Sequence, residues 1–586
     1  MARDIMKDLS FGDMLITPGY EVVFAIGTTY SLSLDALLSV PIAFGMLDEL
    51  NESTRNNPYY ILESIRRSSD KFVLFCNQGG IAVPNDIRNV YSLLECSIFE
   101  VFCKDNPTAN FHPKVWIIKE RNKENEGDLQ MKVIVMSRNL TFDNSLDVAA
   151  TLTAKIRDHT TKYAIKHVPL KTWVEWLMDY ASTERSHKMR EILEDIDCLD
   201  AFNVDEPFEN YDFYPIIYGK KDELLERAMQ GSSMAIISPF IDITTLRRLN
   251  KRCTRGRKLL ITRKEYVDKA IFNEYTGDND EIYAVNDSMI DNDFGAINLH
   301  AKIYVVSYPL IANAIYLFLG SANATFSAFD RNSEFLLRLQ FKRGQHVMDR
   351  YLNEFINDKE KCFEPLTEPG IEEREQNEYS KAELGIKALL NAGIKAKAIV
   401  DDNNGKATVK ITCKVPKNDV TYKLAPLQAL GLEQMLNHEN VFKDLDVIQL
   451  SEFYKLTAIC KDDEVMVVVK IRTRGIPENR NQLILQSIVN TKEKFLNYVA
   501  LMLSDDAEDL LYEIERLKKS RECKTGDTTV SIALYERLLS AAYNNPKQLE
   551  DINKFVMDMK SSGNVDESFL QMYDKFMKII KQLKRI

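Results

Sequence analysis

Short apolar runs alternate with amphipathic stretches along the first half of the chain. EVVFAIGTTY (21–30), KFVLFCNQGG (71–80) and IFEVFCK (98–104) have the length and β-branched content of strands. Between them lie two helix-like segments, LSLDALLSVPIAFGML (32–47), with Pro41 inside or ending it, and IRNVYSLLECS (87–97). Two further strands follow, NFHPKVWII (110–118) and MKVIVMSRN (131–139). This alternation predicts an α/β fold, a mostly parallel sheet covered by helices.

The same order returns from residue 213. SSMAIISPFID (232–242) predicts a strand, ITTLRRLNKR (243–252) a helix, and KLLIT (258–262) and EIYAVND (281–287) strands. NLHAKIYVV (298–306) and AIYLFLGSAN (314–323) close the series. A recurrence of roughly 190 residues is a duplicated domain, not a solenoid unit. The intervening 168–212 reads as helical and then acidic, a bridge between lobes. From 357 the chain becomes charged and turn-rich. AKAIVDDNNGKATVKITCKV (396–415) then gives a hairpin signal, with Asn-Gly between β-branched alternations, and FYKLTAICKDDEVMVVVKIRT (453–473) a second. Beyond Pro477 apolar residues fall at helical spacing. The reading is therefore a first lobe at 1–167, a bridge at 168–212, a second lobe at 213–356, a linker at 357–379, a β-rich module at 380–475 and an α-helical module at 476–586.

Composition narrows the class. The 586 residues are 45% hydrophobic, enough for real cores, and the opening MARDIMKDLS has no apolar signal region behind its charges. The uncharged stretch Tyr304–Phe329 is interrupted by Pro309, Asn313, Gly320 and Asn323, and reads as two strands with a loop rather than a membrane span. Nine scattered cysteines without a C-x-x-C pair argue against a zinc ribbon or a disulfide framework, and point to a reducing cytoplasm. A net charge of −11 argues against a broad DNA-coating protein but leaves room for a local basic groove. Residues 247–264 carry nine Lys/Arg and no acid. Two readings stay open there: a helix C-terminus favoured by its dipole, or phosphate contact through Arg252, Arg255, Arg257 and Lys258.

The candidate chemistry lies in a doubled motif. HPK (112–114) and HAK (300–302) each place a lysine two residues after a histidine. Behind each comes a strand ending in Ser-x-Asn: Ser137 and Asn139, then Ser321 and Asn323. An Asn-Ser and an acid follow: Asn144, Ser145 and Asp147, then Asn332, Ser333 and Glu334. If His and Lys sit on a strand, residues i and i+2 share a face. Lysine and the asparagine amide can stabilise an oxyanion forming at phosphorus, one imidazole can attack and a second can protonate a leaving oxygen. An acid on the far ring nitrogen fixes the tautomer. Such a site needs no metal or other cofactor. One His followed by a base is worth little alone; two copies in matching contexts carry the argument. The remaining histidines (159, 167, 187, 346, 438) read as surface or structural.

His-x-Lys followed by (Gly)-Ser-x-Asn, twice over about residues 20–345, resembles the phospholipase D superfamily. Where the common family pattern has Asp five residues after the Lys, this chain has Lys119 and Ser307, which looks like the tyrosyl-DNA phosphodiesterase branch and related bacterial nuclease-like members. In the first copy Met136 stands where the pattern has Gly. The resemblance implies two tandem phospholipase D-like α/β/α sandwich lobes forming one pseudo-two-fold site. It implies a phosphohistidine on His112, His300 as the acid, Lys114, Lys302, Asn139, Asn323, Ser137 and Ser321 around the phosphate, and Glu334 and Asp147 orienting the imidazoles. The expected function is a metal-independent nuclease acting on DNA in a bacterial restriction or anti-phage system. No G-x-x-x-x-G-K-[ST] loop occurs, so any helicase or ATPase would be a separate partner. A membrane phospholipase or phosphatidyl transferase, and a catalytically silent nucleic-acid-binding protein of the same fold, are the alternatives.

Overall fold

The computed structural model describes residues 11–45, 58–103, 106, 108–143, 145–220, 223–253, 256–285, 298–308, 314–342, 353, 356, 362–371, 379–401, 404–503, 534–544, 546–560 and 563–583. Arg255, Asn144, His346 and much of the expected linker lie outside them.

The first sheet uses β1 (Tyr20–Thr29), β2 (Phe72–Asn77), β3 (Ile98–Val101), β4 (Val115–Asn122), β5 (Leu129–Met136) and β7 (Ala149–Lys155), ordered β3-β2-β1-β4-β5-β7; β6 (Ser145–Leu146) stands outside it. The second uses β8 (Phe208–Ile216), β9 (Ser233–Ile237), β10 (Lys258–Thr262), β11 (Asp280–Val285), β13 (Ile303–Tyr308), β14 (Ala314–Gly320), β15 (Glu334–Phe341) and β16 (Phe363–Pro365). Its order is β16-β11-β10-β9-β13-β14-β15-β8, while β12 (Asn298–Leu299) pairs with β6 instead. Thus β8 begins inside the expected bridge, and β16 inside the expected linker.

Neither sheet is mostly parallel, which corrects that expectation. Only β1–β2–β3 and β9–β10–β11 run parallel; the other neighbours are antiparallel. The reason is connection length. β4 and β5 are joined by residues 123–128 alone, and a parallel pair needs a crossover of about a dozen residues or more. The site edge survives the correction. β4 and β13 run against β1 and β9, so their N-terminal ends meet the C-terminal ends of the parallel strands, where open sheets place their sites.

IRNVYSLLECS also differs: it forms two 3₁₀ turns, Asn89–Leu93 and Glu95–Ser97. Long-range bonds override its helical pattern. The Tyr91 hydroxyl donates to Asp35 at 2.5 Å, and Arg480 donates to Glu95 at 2.6 Å and to the Ser92 carbonyl at 3.3 Å. The helical segment at 32–47 divides into Leu34–Leu37 and Ser39–Gly45, with Pro41 in the first turn of the second, where its missing N–H has no intrahelical partner to lose.

One apolar core joins the sheets. Ile117, Val133 and Val135 of the first, Leu319, Phe335 and Leu337 of the second, and Trp173, Leu177 and Ile192 from helices Val168–Met178 and Thr183–Asp197 pack together, all buried. The 394–400 and 406–413 strands form the expected hairpin, as do 453–460 and 463–470. Helices at 480–488, 492–502, 534–544, 546–559 and 567–583 follow. Phe453 and Val468 of the hairpin region and Leu501 of a helix enter the core on the outer face of the first sheet. Among the described residues no helix is long and apolar enough to cross a membrane.

Candidate active site

His112 and Lys114 do not lie on a strand. They occupy an extended lead-in before β4, and His300 and Lys302 lie between β12 and β13, which corrects the strand placement. Pro113 has no N–H to extend a ladder. The backbone of each segment pairs instead with the acid-bearing segment of the other half. Phe111 bridges Ser333, and Leu299 pairs with Leu146, both in parallel sense. The His112 N–H donates to the Ser333 carbonyl at 2.9 Å, and the His300 N–H to the Leu146 carbonyl at 3.0 Å.

That exchange crosses the carboxylates. His112 Nδ1 lies 2.9 Å from Glu334 Oε2, and His300 Nδ1 lies 2.8 Å from Asp147 Oδ1. Each histidine therefore takes its acid from the opposite half. A carboxylate only accepts, so each Nδ1 carries the proton and each Nε2 keeps its lone pair. The side chains of both histidines are about one-seventh exposed, at 13% and 14%.

The two halves match bond for bond. The Ser137 hydroxyl donates to Asp147 at 2.6 Å and accepts from the Val148 N–H at 3.0 Å. The Ser321 hydroxyl donates to Glu334 and accepts from the Phe335 N–H at 3.0 Å. Both serines are fully buried and brace the acids. Thr29 and Ser238, at the ends of β1 and β9, accept from the N–H groups of Leu140 and Ala324. Ser33 and Asp242 then cap the following helices.

Lys114 and Lys302 are buried, and each ammonium donates to the carbonyl of its own histidine, at 2.7 and 2.5 Å. Burial drives Lys114 well below the ordinary lysine value, with Glu334 opposing and Lys302 adding. Burial brings Lys302 down to about 7 against the pull of Asp147 and Glu334. His112 falls to about 4: burial lowers it, Glu334 opposes, and both lysines add to the drop. His300 reaches about 4 by burial, against its hydrogen bond to Asp147, with both lysines again contributing. Each imidazole thus feels both ammonium groups. Burial raises Asp147, but the His300 hydrogen bond and charge hold it down at about 2. Among the described residues neither lysine forms an ion pair with an acid, and an anion bound between them would favour their charged forms.

Gly320 shows why the second copy keeps glycine. Its φ is +151°, and a Cβ there would meet the Phe335 carbonyl oxygen at 2.2 Å. Met136 serves the first copy by pairing with Ala149. The positions that depart from the family pattern do other work: Lys119 pairs with Asp195 at 2.7 Å, and the Ser307 carbonyl accepts from the Ser232 N–H. Asn139 Oδ1 accepts from the Ser31 N–H at 3.4 Å, and Asn323 Oδ1 is buried without a hydrogen-bond partner among the described residues.

Several neighbours escaped sequence reasoning. The Tyr30 ring lies 4.9 Å from the His112 ring and 5.7 Å from the Lys114 ammonium. At the matching point after β9 stands Pro239, so Tyr30 breaks the two-fold likeness. Arg263 stacks on Phe240 at 4.8 Å and donates to the Leu299 carbonyl at 2.7 Å, beside His300. The only available signal for it was its place in the basic stretch. Arg257 and Lys258 lie at the opposite end of β10, paired with Glu281 at 2.8 Å and Asp280 at 3.5 Å; Arg252 follows the helix Ile243–Asn250. The structure does not bring these to the histidines. Of the other described histidines, 159, 187 and 438 are exposed, and His167 is buried against the Tyr211 hydroxyl at 2.8 Å.

No family model matches the chain, and no curated protein matches it. Solved structures align remotely. Yeast tyrosyl-DNA phosphodiesterase is 12% identical, over 57% of this chain and 86% of its own, at a TM-score of 0.35. Phosphatidylserine synthase of Haemophilus influenzae Rd KW20 is 12% identical, over 64% and 88%, at 0.34. NucT from Helicobacter pylori is 16% identical, over 27% and 99%, at 0.19. These likenesses are too distant to assign an activity, which is read from the site itself.

Proposed function

We propose that this chain is a phosphodiesterase of the phospholipase D superfamily, acting on nucleic acid, DNA foremost, through a phosphohistidine. The observation that carries the reading is the crossed pairing of His112 with Glu334 and His300 with Asp147 around two buried lysines. On this reading 1–167 and 213–356 are tandem lobes of one pseudo-two-fold site, and the modules at 380–475 and 476–586 are accessory. Lys114, Lys302, Asn139 and Asn323 hold the phosphate.

His112 Nε2 attacks phosphorus, the P–O bond to the leaving group breaks, and His300 delivers its Nε2 proton to the departing oxygen. His300 then takes a proton from water, which attacks the phosphohistidine; the P–N bond breaks and a phosphomonoester leaves. A bound phosphodiester anion offsets the lysine charges and so raises the His300 pKa toward the protonated form the first step needs. The ammonium groups neutralise charge developing on the phosphoryl oxygens. The expectations of a cytoplasmic setting, a separate ATPase partner and a restriction or anti-phage role belong to the same reading.

The test is incubation with single- and double-stranded DNA in excess chelator. Cleavage is expected to persist in chelator and vanish in His112→Ala, while His300→Ala accumulates an acid-labile phosphoryl adduct. Choline or glycerol release from liposomes, with no DNA cleavage, would overturn the substrate assignment. An adduct in His112→Ala but not in His300→Ala would reverse the two roles.

A further inference from the structure

Three residues beyond each motif asparagine stands a phenylalanine that the proposed chemistry does not use. The segments are NLTF (139–142) and NATF (323–326). Phe142 is 74% exposed and Phe326 51%, although their neighbours Leu140 and Ala324 are buried. The two turns are built alike. The Leu140 and Ala324 N–H groups donate to Thr29 and Ser238, at 3.0 and 2.9 Å. Their carbonyls accept from the Ser33 and Asp242 N–H groups, at 2.9 and 3.1 Å. Phe142 then follows in a loop and Phe326 opens the π-helical turn Ser327–Arg331, both two residues past these matched bonds at the sheet edge that carries the histidines, one from each half. One exposed aromatic is ordinary on a protein surface. Two at equivalent positions, within five residues of the serines that brace the catalytic acids, form a pattern.

The chemistry of the pair limits its ligand. Phenyl rings carry no charge and no hydrogen-bonding group, so they offer stacking to flat rings and read no sequence. The lysines already supply the contact for the phosphate. A duplex keeps its base faces inside its own stack; only unpaired bases present them. Arg138, whose Nη2 donates to the Asp143 carbonyl at 2.7 Å, also pairs with the Asp143 carboxylate at 3.5 Å, next in sequence to Phe142.

Resting on the nucleic-acid reading above, we propose that Phe142 and Phe326 are stacking platforms for unpaired bases on the two sides of the bound phosphodiester. The site then takes single-stranded nucleic acid, or frayed ends, in preference to intact duplex, with little dependence on base identity.

The experiment measures binding by fluorescence anisotropy in a His112→Ala background, which prevents turnover. The probes are a short single-stranded oligonucleotide, the same sequence as duplex, and a strand of equal length carrying abasic residues at its centre. Phe142→Ala and Phe326→Ala are each expected to weaken single-strand binding about five- to a hundredfold, the range lost with one base–aromatic stack. The loss should disappear on the abasic strand. The slope of log affinity against log salt should not change, because no phosphate contact is removed. Phe→Trp should restore binding, and Phe→Leu, apolar but without a π face, should not. Unchanged affinity in both alanine variants, equal losses on the abasic strand, or tighter wild-type binding to duplex would overturn the proposal. Cleavage by the wild type, and its loss in His112→Ala, scores the underlying nuclease reading separately, so either can fail without the other.

Discussion

Glu334 bonds two donors through one oxygen: the His112 imidazole and the Ser321 hydroxyl both meet Oε2. This sets a specific outcome for Glu334→Gln. Ser321 accepts from the Phe335 N–H at 3.0 Å, and its hydroxyl proton goes to residue 334 in preference to the Phe335 carbonyl, which lies farther off at 3.4 Å. An amide there must turn its oxygen toward Ser321, and that same oxygen still accepts from His112 Nδ1. The tautomer is kept, and what is lost is the charge together with the long contact from Asn332 Nδ2 to the other oxygen at 3.5 Å. Exchanging a charge-assisted for a neutral hydrogen bond costs about 1–2 kcal/mol, about tenfold in the rate of adduct formation. Ser321→Ala alone leaves the carboxylate in place and should cost less than about tenfold. The double variant is different. With no hydroxyl to hold it, the amide can offer its NH₂ to Nδ1, which moves the ring proton to Nε2 and removes the attacking lone pair. Tautomer reversal of this kind in another imidazole–carboxylate pair costs about 10⁴ in rate, so the two changes should be strongly synergistic. The assay is rapid-quench, single-turnover formation of the phosphoryl adduct at pH 7. Protonation is not a competing cause, because losing the attraction of Glu334 moves His112 further below its value of about 4. A double variant whose defect merely equals the product of the two single defects would refute tautomer control by this carboxylate.

Two other outcomes follow from buried charge. Lys302→Met should abolish hydrolysis yet raise stability to urea by about 2 kcal/mol or more, since burial holds the lysine near 7 rather than its ordinary value; an unchanged or lower midpoint would count against the buried-charge account. Burial lifts Glu100 to about 7 despite N–H donors from Gly79 and Lys470. A carboxyl raised in the folded state binds its proton more tightly there than when unfolded, so the wild type should lose stability as pH rises from about 4.5 through 7, by about 3 kcal/mol in all from this group. Glu100→Gln cannot titrate, so chemical denaturation at several pH values should show its stability relative to wild type climbing across that window; parallel curves would refute the shift.

β1 to β5, β9 to β11, β13 and β14 were legible in the sequence because each is a short apolar run between breakers, and the motif residues because they come twice; β7, β8, β15 and β16 were not read as strands. What sequence could not show follows from long-range geometry. The sheets are mixed because strand direction depends on connection length, which the hydrophobic pattern does not encode. His112 and Lys114 lie off the strand because their backbone is paired with residues 333–334 of the other half. The serine hydroxyls donate to acids 10 and 13 residues further on, a contact that spacing alone does not show. Tyr30 has no counterpart in the second half, so a search for repeats passes over it.

The crossing of the two histidine–carboxylate bonds changes how damage to this molecule must be traced. A lesion at position 334 alters the hydrogen-bond acceptor of the imidazole at 112, and one at 147 that of the imidazole at 300, so neighbours in the primary structure are the wrong suspects. The halves cannot drift apart as independent genes could, because each holds the other's proton in place.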